Sequence, residues 1–326
     1  MINKEYNGII LGKGSKTPRD YILGSQVEQE INCSDWEFYL VDSKWKIEHE
    51  IQNTSFETYA CTCFSGNDVK ELIMLWALHT GKIPAGHAKW LKDNGYLRNG
   101  YINFDDRIPA MYSEITEGIG TYQWKAGNAL RQWSLPEGIL KDNPKNFTEY
   151  MDKEKMTEQA RELQKEYDKR FVWHWFWFRD DKDLDEQMKT SPAMSVVRFA
   201  NGDGCLSPVG NFNHAVMEYG NMGECRKIDD SYSQQIKFYK PDFITSRLGF
   251  KLTIITKNME TFLKDNDLKA VWNRDTGAYY YVHQGALKKY DTTDRAVLML
   301  VEDKFRKDGK IEIDNEILSS LPVLNF

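Results

Sequence analysis

Apolar residues recur at helical spacing directly after a Cys-Thr-Cys sequence near position 60. The apolar positions of this pattern are Phe64, Val69, Leu72, Ile73 and Trp76. The sequence HTGKIP at 79–84 then supplies a glycine and a proline as stop signals. The pattern predicts an amphipathic helix that begins at Cys61 and carries Cys63 in the same first turn.

The remaining pattern divides the chain into a helix-rich first half and a strand-rich second half. Helices are predicted within 121–138 and in the strongly charged stretch 150–170. The aromatic run FVWHWFWF at 171–178 is typical of a buried strand, and His174 within it is expected to be a core residue. Further strands are predicted within 191–200, 214–220, 225–232 and 250–256. This order favours the α+β class with two lobes, one helical and one of antiparallel strands.

Three segments are predicted along the chain. Residues 1–50 form an N-terminal lead-in, residues 51–257 the main domain, and residues 258–326 a small appended α/β module. In the module, Asp275-Thr276-Gly277 is a turn signal between two strand-like runs, which predicts a hairpin, and residues 293–305 have a helical pattern. Whether residues 1–50 cover a groove as a propeptide or brace the fold stays open.

Composition narrows the class of protein. The chain is 41% hydrophobic and 28% charged, which is ordinary for a globular protein, and its net charge of −6 argues against a nucleic-acid binder. No stretch has the ~18 uninterrupted apolar residues of a membrane span, and the N-terminus lacks the pattern of a secretory signal. The expected location is a cytoplasm, or a virion if a phage encodes the chain.

Cysteine and histidine spacing argues against metal and disulfide scaffolds. The five cysteines are Cys33, Cys61, Cys63, Cys205 and Cys225. An odd count without an export signal predicts reduced thiols, and neither cysteines nor histidines show zinc-ligand spacing. The sequence therefore predicts no disulfide framework, no metal and no cofactor.

A thiol nucleophile needs a lowered pKa, an imidazole and a third polar group that orients the ring. Cys61 at a helix start meets the first condition through the partial positive charge of the helix terminus. His214 begins a predicted strand, and Asp229 and Asp230 lie on the next one. Because neighbouring strand residues point to opposite faces, only one aspartate can face His214.

These residues stand in the order and local sequence of the papain-like cysteine peptidases. Cys61-Thr62-Cys63-Phe64-Ser65 resembles the family's Cys-aromatic-x-Phe-Ser, with Thr62 in place of the aromatic, and this register makes Cys61 the nucleophile and Cys63 a buried neighbour. The segment 213–220 is similar to Asn-His-Ala-Val followed by Gly-Tyr-Gly. The segment 228–232 is similar to Lys-Asn-Ser-Trp, with Asp230 for Asn and Tyr232 for Trp.

The resemblance covers about residues 50–256 and extends to two further stretches. SPAMSVV at 191–197 is similar to the strand that leads to the histidine, and residues 117–138 are similar to the glycine-rich loop and helix beside the substrate groove. Within the family, the chain looks closest to uncharacterised members encoded by tailed bacteriophages. Gln52 is the candidate oxyanion donor, although it lies nine positions before Cys61 and the family's glutamine six.

The resemblance implies peptide hydrolysis through a thiolate–imidazolium pair and a thioester. Cys61 attacks the carbonyl, His214 transfers protons, Asp230 orients His214, and Gln52 with a backbone N–H binds the oxyanion. The expected partner is a protein or peptide substrate, and other phage structural proteins if the chain is a virion component. Two alternatives stay open, namely a peptidoglycan-cleaving Cys-His-Asp peptidase and a non-enzymatic virion or tail protein on the same scaffold.

Overall fold

The computed structural model describes residue 33, residues 35–178 and 184–255, and the backbone of five short strands between 270 and 324. These residues divide into two compact units with a boundary between Leu252 and Thr253, five residues before the predicted start of the appended module. The predicted helix at 293–305, the hairpin turn at 275–277 and most of the lead-in lie outside the described residues.

The first unit contains the helices and two of the sheets. Its described helices are α1 (Trp36–Val41), α2 (Cys61–His79), α3 (Ala85–Asp93), α4 (Arg107–Tyr112), α5 (Gln123–Gln132), α6 (Phe147–Tyr150), α7 (Glu158–Asp168) and α8 (Leu184–Met188). Its strands are β1 (Lys46–Ile47), β2 (Leu97–Arg98), β3 (Tyr101–Ile102), β4 (Phe171–Trp177), β5 (Ala193–Val197), β6 (Cys205–Leu206), β7 (His214–Asn221), β8 (Arg226–Asp229), β9 (Ile236–Tyr239) and β10 (Ile244–Ile254).

The larger sheet has seven strands in the order β4-β10-β5-β7-β8-β9-β6. The central pairs from β10 to β9 are antiparallel, and the edge strand β6 joins β9 in parallel. A small sheet has the order β1-β3-β2. The predicted α+β class is confirmed, and the predicted helices at 61, 121–138 and 150–170 and strands at 171, 191, 214, 225 and 250 all have counterparts.

Helix α2 packs against β7 and β5 of the sheet and against α5. Gly66 permits the close approach to α5, because a Cβ built there would lie 2.3 Å from a methyl group of Leu130. The prediction of an amphipathic helix is wrong, since polar residues of α2 are buried along with the apolar ones. Lys70, for example, is fully buried and donates to the carbonyls of Leu130 and Trp133 at 2.9 and 3.1 Å.

Several of these buried polar residues, Lys70 among them, have a hydrogen-bond partner on a neighbouring segment. Asn67 donates to a carboxylate oxygen of Asp106 at 2.7 Å, and Glu71 accepts the backbone N–H of Phe104 at 2.7 Å. A periodicity rule assigns such side chains to solvent, but α2 is covered by strands on one side and by helices and loops on the other. Satisfied hydrogen bonds make this burial tolerable.

The prediction that all five cysteines are reduced is also wrong. Cys205 in β6 and Cys225 just before β8 form a disulfide, while Cys33, Cys61 and Cys63 are free and buried. The two bonded residues are 20 positions apart, and in the sheet only β9 lies between the edge strand β6 and β8. The number of cysteines could not reveal this pair. An odd number shows only that not all cysteines can be paired, and it still allows one disulfide.

The second unit contains a mixed sheet of five strands in the order β14-β11-β12-β13-β15. These strands are β11 (Ala270–Asn273), β12 (Tyr279–His283), β13 (Ala286–Lys289), β14 (Lys310–Ile313) and β15 (Val323–Leu324). The antiparallel pairing of β11 and β12 confirms the predicted hairpin. Within the described part of the chain, no helix has both the length and the apolar character needed to cross a bilayer.

Candidate functional site

Cys61 is the first residue of α2, as the sequence predicts. The N-cap residue, Ala60, has no side chain that could accept the N–H groups of the first turn. Ser65 donates its hydroxyl to the carbonyl of Cys61 at 2.7 Å, which fixes the start of the helix. The Cys61 sulfur accepts the backbone N–H of Ala215 at 3.4 Å, so it lies beside the strand position that follows His214.

The Cys61 thiol lies in an apolar environment. It is fully buried and packs against Val196 and Ala215, with Phe212 against the same cluster. Burial raises the pKa of the thiol above its ordinary range, the N–H of Ala215 opposes this rise, and the charge of Glu57 adds to it. The sequence predicts a lowered pKa, whereas the structure describes a neutral, protected thiol whose hydrogen bond comes from the backbone.

His214 and Asp230 form a buried pair. Nε2 of His214 lies 2.8 Å from Oδ1 of Asp230, and both side chains are almost completely buried. Burial alone would raise the pKa of the Asp230 carboxyl, but the charges of His214 and Lys237 and hydrogen bonds from both hold it below its ordinary range. Because an ionised carboxylate only accepts, Nε2 must carry a proton and donate it. In a neutral ring, Nδ1 is then the nitrogen with a free electron pair.

The two adjacent aspartates point in different directions, as strand geometry requires. Asp229 accepts from the side-chain amide of Gln235 at 2.8 Å, while Asp230 accepts from His214. Burial raises the pKa of Asp229 to about 7, the hydrogen bond from Gln235 opposes the rise, and the charge of Asp230 adds to it. Of the two aspartates predicted as candidates, Asp230 is therefore the one that meets the histidine.

Lys237 contacts the other oxygen of the Asp230 carboxylate. Its ammonium lies 2.6 Å from Oδ2, and both side chains are fully buried. Strand β9 places Lys237 opposite Ile228 of β8, so it shares a face with Asp230 two positions further on. Burial lowers the pKa of Lys237, and the charge of Asp230 and the hydrogen bond to it oppose this effect.

Two aromatic rings flank this group of charged residues. The ring of Tyr232 lies 4.9 Å from that of His214, and the ring of Phe199 lies 5.4 Å from it, centroid to centroid. Phe199 also lies 4.5 Å from the Lys237 ammonium, within cation–π range. The rings cover the ion pair of Asp230 and Lys237, and the exclusion of water strengthens the attraction between these two charges.

Gln52 is buried and hydrogen-bonded to the segment that follows Asp230. Its amide nitrogen donates to Glu57 at 2.7 Å and to the hydroxyl of Tyr232 at 2.9 Å, and its oxygen accepts from Ser231 at 2.7 Å. The Tyr232 hydroxyl donates to the second oxygen of Glu57 at 2.9 Å. Both amide hydrogens of the predicted oxyanion donor are thus directed at protein groups.

The loop before α2 is tied to the same segment by backbone contacts. The N–H of Gln52 donates to the carbonyl of Ser231 at 3.0 Å, and Nε2 of His49 lies 3.2 and 3.0 Å from the carbonyl oxygens of Asp230 and Tyr232. Tyr59 has a φ of 55°, an uncommon value for a residue other than glycine, and its N–H points to the Glu57 carboxylate at 3.0 Å. The backbone is therefore strained two residues before the thiol.

Sequence reasoning missed Lys237, Glu57 and Phe199. One signal for Lys237 exists in the alternation of IKFY at 236–239, which puts a lysine and Tyr239 on the buried face of one strand. Glu57 has no such signal, since an acid in a loop is normally solvated. Among the described residues, no group of three or more histidine, cysteine, aspartate or glutamate side chains is arranged to hold a metal ion.

The fold and the site together define an α+β chain with a cysteine, a histidine and an aspartate drawn from α2, β7 and the end of β8. Comparison with known proteins adds no further assignment, since no protein-family model matches the chain and no curated protein matches it. The function must therefore be argued from the site itself.

Proposed function

We propose that this chain is a cysteine peptidase with a papain-like two-lobed arrangement, in which Cys61, His214 and Asp230 are the catalytic residues. The observation that carries the proposal is the buried His214–Asp230 pair, with the Cys61 sulfur held 3.4 Å from the N–H of the residue after the histidine. This observation supports the proposal because a thiol, an imidazole and a carboxylate from three distant segments lie near the start of α2, and covalent acyl transfer uses these three groups as nucleophile, base and orienting acid.

The chemistry follows from the protonation states of these groups. Nδ1 of His214 takes the thiol proton, and the Cys61 sulfur attacks a peptide carbonyl. The tetrahedral intermediate collapses to a thioester as the imidazolium gives its proton to the leaving amine. Water activated by His214 then releases the acid and restores the thiol.

Oxyanion binding requires a rearrangement in the loop that precedes α2. The first donor of this proposal is the backbone N–H of Cys61, because the first N–H groups of a helix have no carbonyl partner within that helix. Gln52 supplies the second donor once its amide exchanges Glu57 for the substrate oxygen. In this proposal the neutral, buried thiol belongs to the resting enzyme, and substrate entry exchanges internal contacts for contacts to the reacting carbonyl.

Alkylation of the two neighbouring thiols tests the assignment. A thiol-directed peptide epoxide should label the wild-type chain at Cys61, as read by mass spectrometry of the digested protein. Cys61→Ala should abolish labelling and hydrolysis of casein, and Cys63→Ala, a matched control two residues further along the same helix turn, should retain both. Labelling at Cys63, or none in the wild-type chain, would refute the proposal.

A second candidate is a structural or binding protein, such as a virion or tail component, that keeps this scaffold without catalysis. Complete burial of the Cys61 thiol and its raised pKa favour it, because a reactive cysteine is normally accessible. In this candidate, the second unit with its five-stranded sheet would supply the binding surface. Recovery of the intact chain from a purified particle, with Cys61 inert to the epoxide, would support this candidate over the first.

A further inference from the structure

Lys237 has no part in the acyl-transfer chemistry, yet it is fully buried against the candidate orienting acid. A buried ammonium is costly unless it is paired, so its position calls for a reason. On one side of Asp230 lies the imidazole, at 2.8 Å, and on the other side lies the ammonium, at 2.6 Å. The carboxylate therefore bridges a histidine and a lysine.

The two oxygens of Asp230 are used differently. Oδ1 accepts from Nε2 of His214 and from the backbone N–H of Tyr232 at 3.1 Å, whereas Oδ2 accepts from Lys237. Both neighbours are donors, and only a carboxylate offers an acceptor to each. An amide at this position has one oxygen, and a lysine ammonium would compete with the imidazole for it.

We propose that Lys237 is a positioning residue that acts through Asp230: it holds Oδ2 and compensates the charge of the carboxylate, so that Oδ1 stays directed at Nε2 of His214. This proposal rests on the proposed peptidase function. It also makes residues 230 and 237 a coupled pair. Residue 230 must be an aspartate because two donors, His214 and Lys237, each need an acceptor oxygen, and residue 237 must be a lysine because the buried carboxylate needs a counter-charge.

Other charged and titratable groups near the pair must be held constant in any test. They are Tyr232 and His49 in contact with the Asp230 segment, Asp229 on β8, Tyr239 on β9, Asp68 and Cys61 on α2, and Glu57 in the loop before α2. All of them are the same in each variant below. Because Asp229 has a pKa of about 7, the series is repeated in an Asp229→Asn background to separate its titration from that of the pair.

Three variants separate orientation from charge: Asp230→Asn, Lys237→Met, and both together. The measurement is the rate of Cys61 alkylation by iodoacetamide between pH 5 and 9, with peptide hydrolysis alongside. In Asp230→Asn the amide oxygen turns to Lys237 and its NH₂ faces Nε2, which selects the wrong tautomer and should slow the reaction at least about 100-fold. In the double variant the amide can turn its oxygen to the histidine, so the alkylation rate should be at least about tenfold higher than in Asp230→Asn.

Lys237→Met leaves an uncompensated carboxylate beside the imidazole. The charge of Asp230, which raises the pKa of the Cys61 thiol, then acts without compensation, so the alkylation profile should move toward higher pH by about one unit. Lys227→Met is the matched control, since Lys227 lies on the adjacent strand β8 and pairs with Glu37 instead. It should leave the profile where the wild-type chain has it.

The outcomes separate the two proposals. An unreactive Cys61 in the wild-type chain refutes the peptidase and the positioning role together. A reactive wild-type chain, with an unchanged profile in Lys237→Met and a double variant no faster than Asp230→Asn, refutes only the role of Lys237 and leaves it a structural partner. The double variant buries neither of the two charges. If Lys237→Met alone does not fold, the comparison of Asp230→Asn with the double variant is sufficient to test the role of Lys237.

Discussion

Strand β7 contributes to two buried groups of polar side chains, each built around one acid. One group includes the first residue of the strand and the other the fifth, and the two acids differ in what they contact. At the start, His214 shares Asp230 with Lys237. Four residues further on, Glu218 accepts from Arg247 and from the hydroxyl of Ser195, both at 2.7 Å, and Arg226 lies 3.8 Å from its other oxygen. Both acids are fully buried.

The difference lies in the capacity to change protonation state. The Glu218 system joins an acid to guanidinium groups, which stay charged at any pH a protein meets, and to a hydroxyl. The Asp230 system joins an acid to an imidazole, a ring that can both donate and accept a proton, and the next residue along β7 donates its N–H to a thiol. Burial of a charged pair therefore does not by itself mark a functional site, whereas a pair that includes a titratable ring beside a nucleophile does.

Glu218→Gln should have the largest effect on stability and little effect on reactivity. The change leaves the buried Arg247 without its counter-charge, which should lower the free energy of unfolding by roughly 3 kcal/mol. Chemical denaturation measures this loss, and the alkylation profile of Cys61 in the folded fraction should match that of the wild-type chain. Adding Arg247→Met removes the orphaned charge and should recover much of the stability. A displaced alkylation profile would break the distinction between the two groups along β7.

Asp229→Asn should have a smaller effect that depends on pH. The folded-state pKa of Asp229, about 7, lies above its ordinary value, so the folded chain holds a proton there that the unfolded chain has released. Asp229 therefore costs no stability below about pH 4, and its cost grows as the pH rises toward about 7. The asparagine variant should therefore gain stability relative to the wild-type chain as the pH rises from about 4 to about 7, measured by denaturation at each pH.

The pKa of Asp230 is shifted in the opposite direction to that of Asp229, so the two residues should change stability with pH in opposite ways. Its pKa is lowered in the folded state, so it contributes stability above its ordinary range, and this contribution is lost as the pH falls through the folded value. Neighbouring aspartates should thus show opposite trends with pH. An Asp229→Asn curve parallel to that of the wild-type chain would mean that Asp229 stays ionised and that its environment is more polar than the contact with Gln235 indicates.

The elements that position the site follow from local sequence signals. Helical spacing from Phe64 to Trp76 and the GKIP stop locate α2, and the alternation of side chains along a strand allows only one of Asp229 and Asp230 to face His214. The position of α2 and the direction of the two aspartates depend on residues near one another in the chain, so they can be predicted from a local sequence pattern.

Burial and long-range partners could not be predicted in the same way. Lys70 and Glu71 look solvent-facing in a periodic pattern and are buried because other segments cover α2. The bond between Cys205 and Cys225 and the contact of Lys237 with Asp230 depend on how strands lie side by side. The raised pKa of Cys61 likewise arises from Val196 and Ala215, which pack over a helix start that would by itself lower it.

Glu57→Ala should have the smallest effect, and it should increase reactivity. The Glu57 carboxylate holds the Gln52 amide at 2.7 Å, and its charge adds to the rise of the Cys61 pKa. Removing it frees a donor for the oxyanion and makes the thiolate easier to form, so we expect the alkylation rate of Cys61 near pH 7 to rise about threefold to tenfold, equivalent to about 0.7–1.4 kcal/mol.

Glu57→Gln separates the two causes in that prediction. It removes the charge but keeps an oxygen that can accept from Gln52, so it should raise alkylation, which needs only the thiolate, more than it raises peptide hydrolysis, which also needs the oxyanion donor. Gln52→Ala in the Glu57→Ala background should then lower hydrolysis with little change in alkylation. A slower reaction in Glu57→Ala would show that the carboxylate supports the strained turn at Tyr59 instead of restraining the donor, and that the resting contact belongs to the fold as the Glu218 contact does.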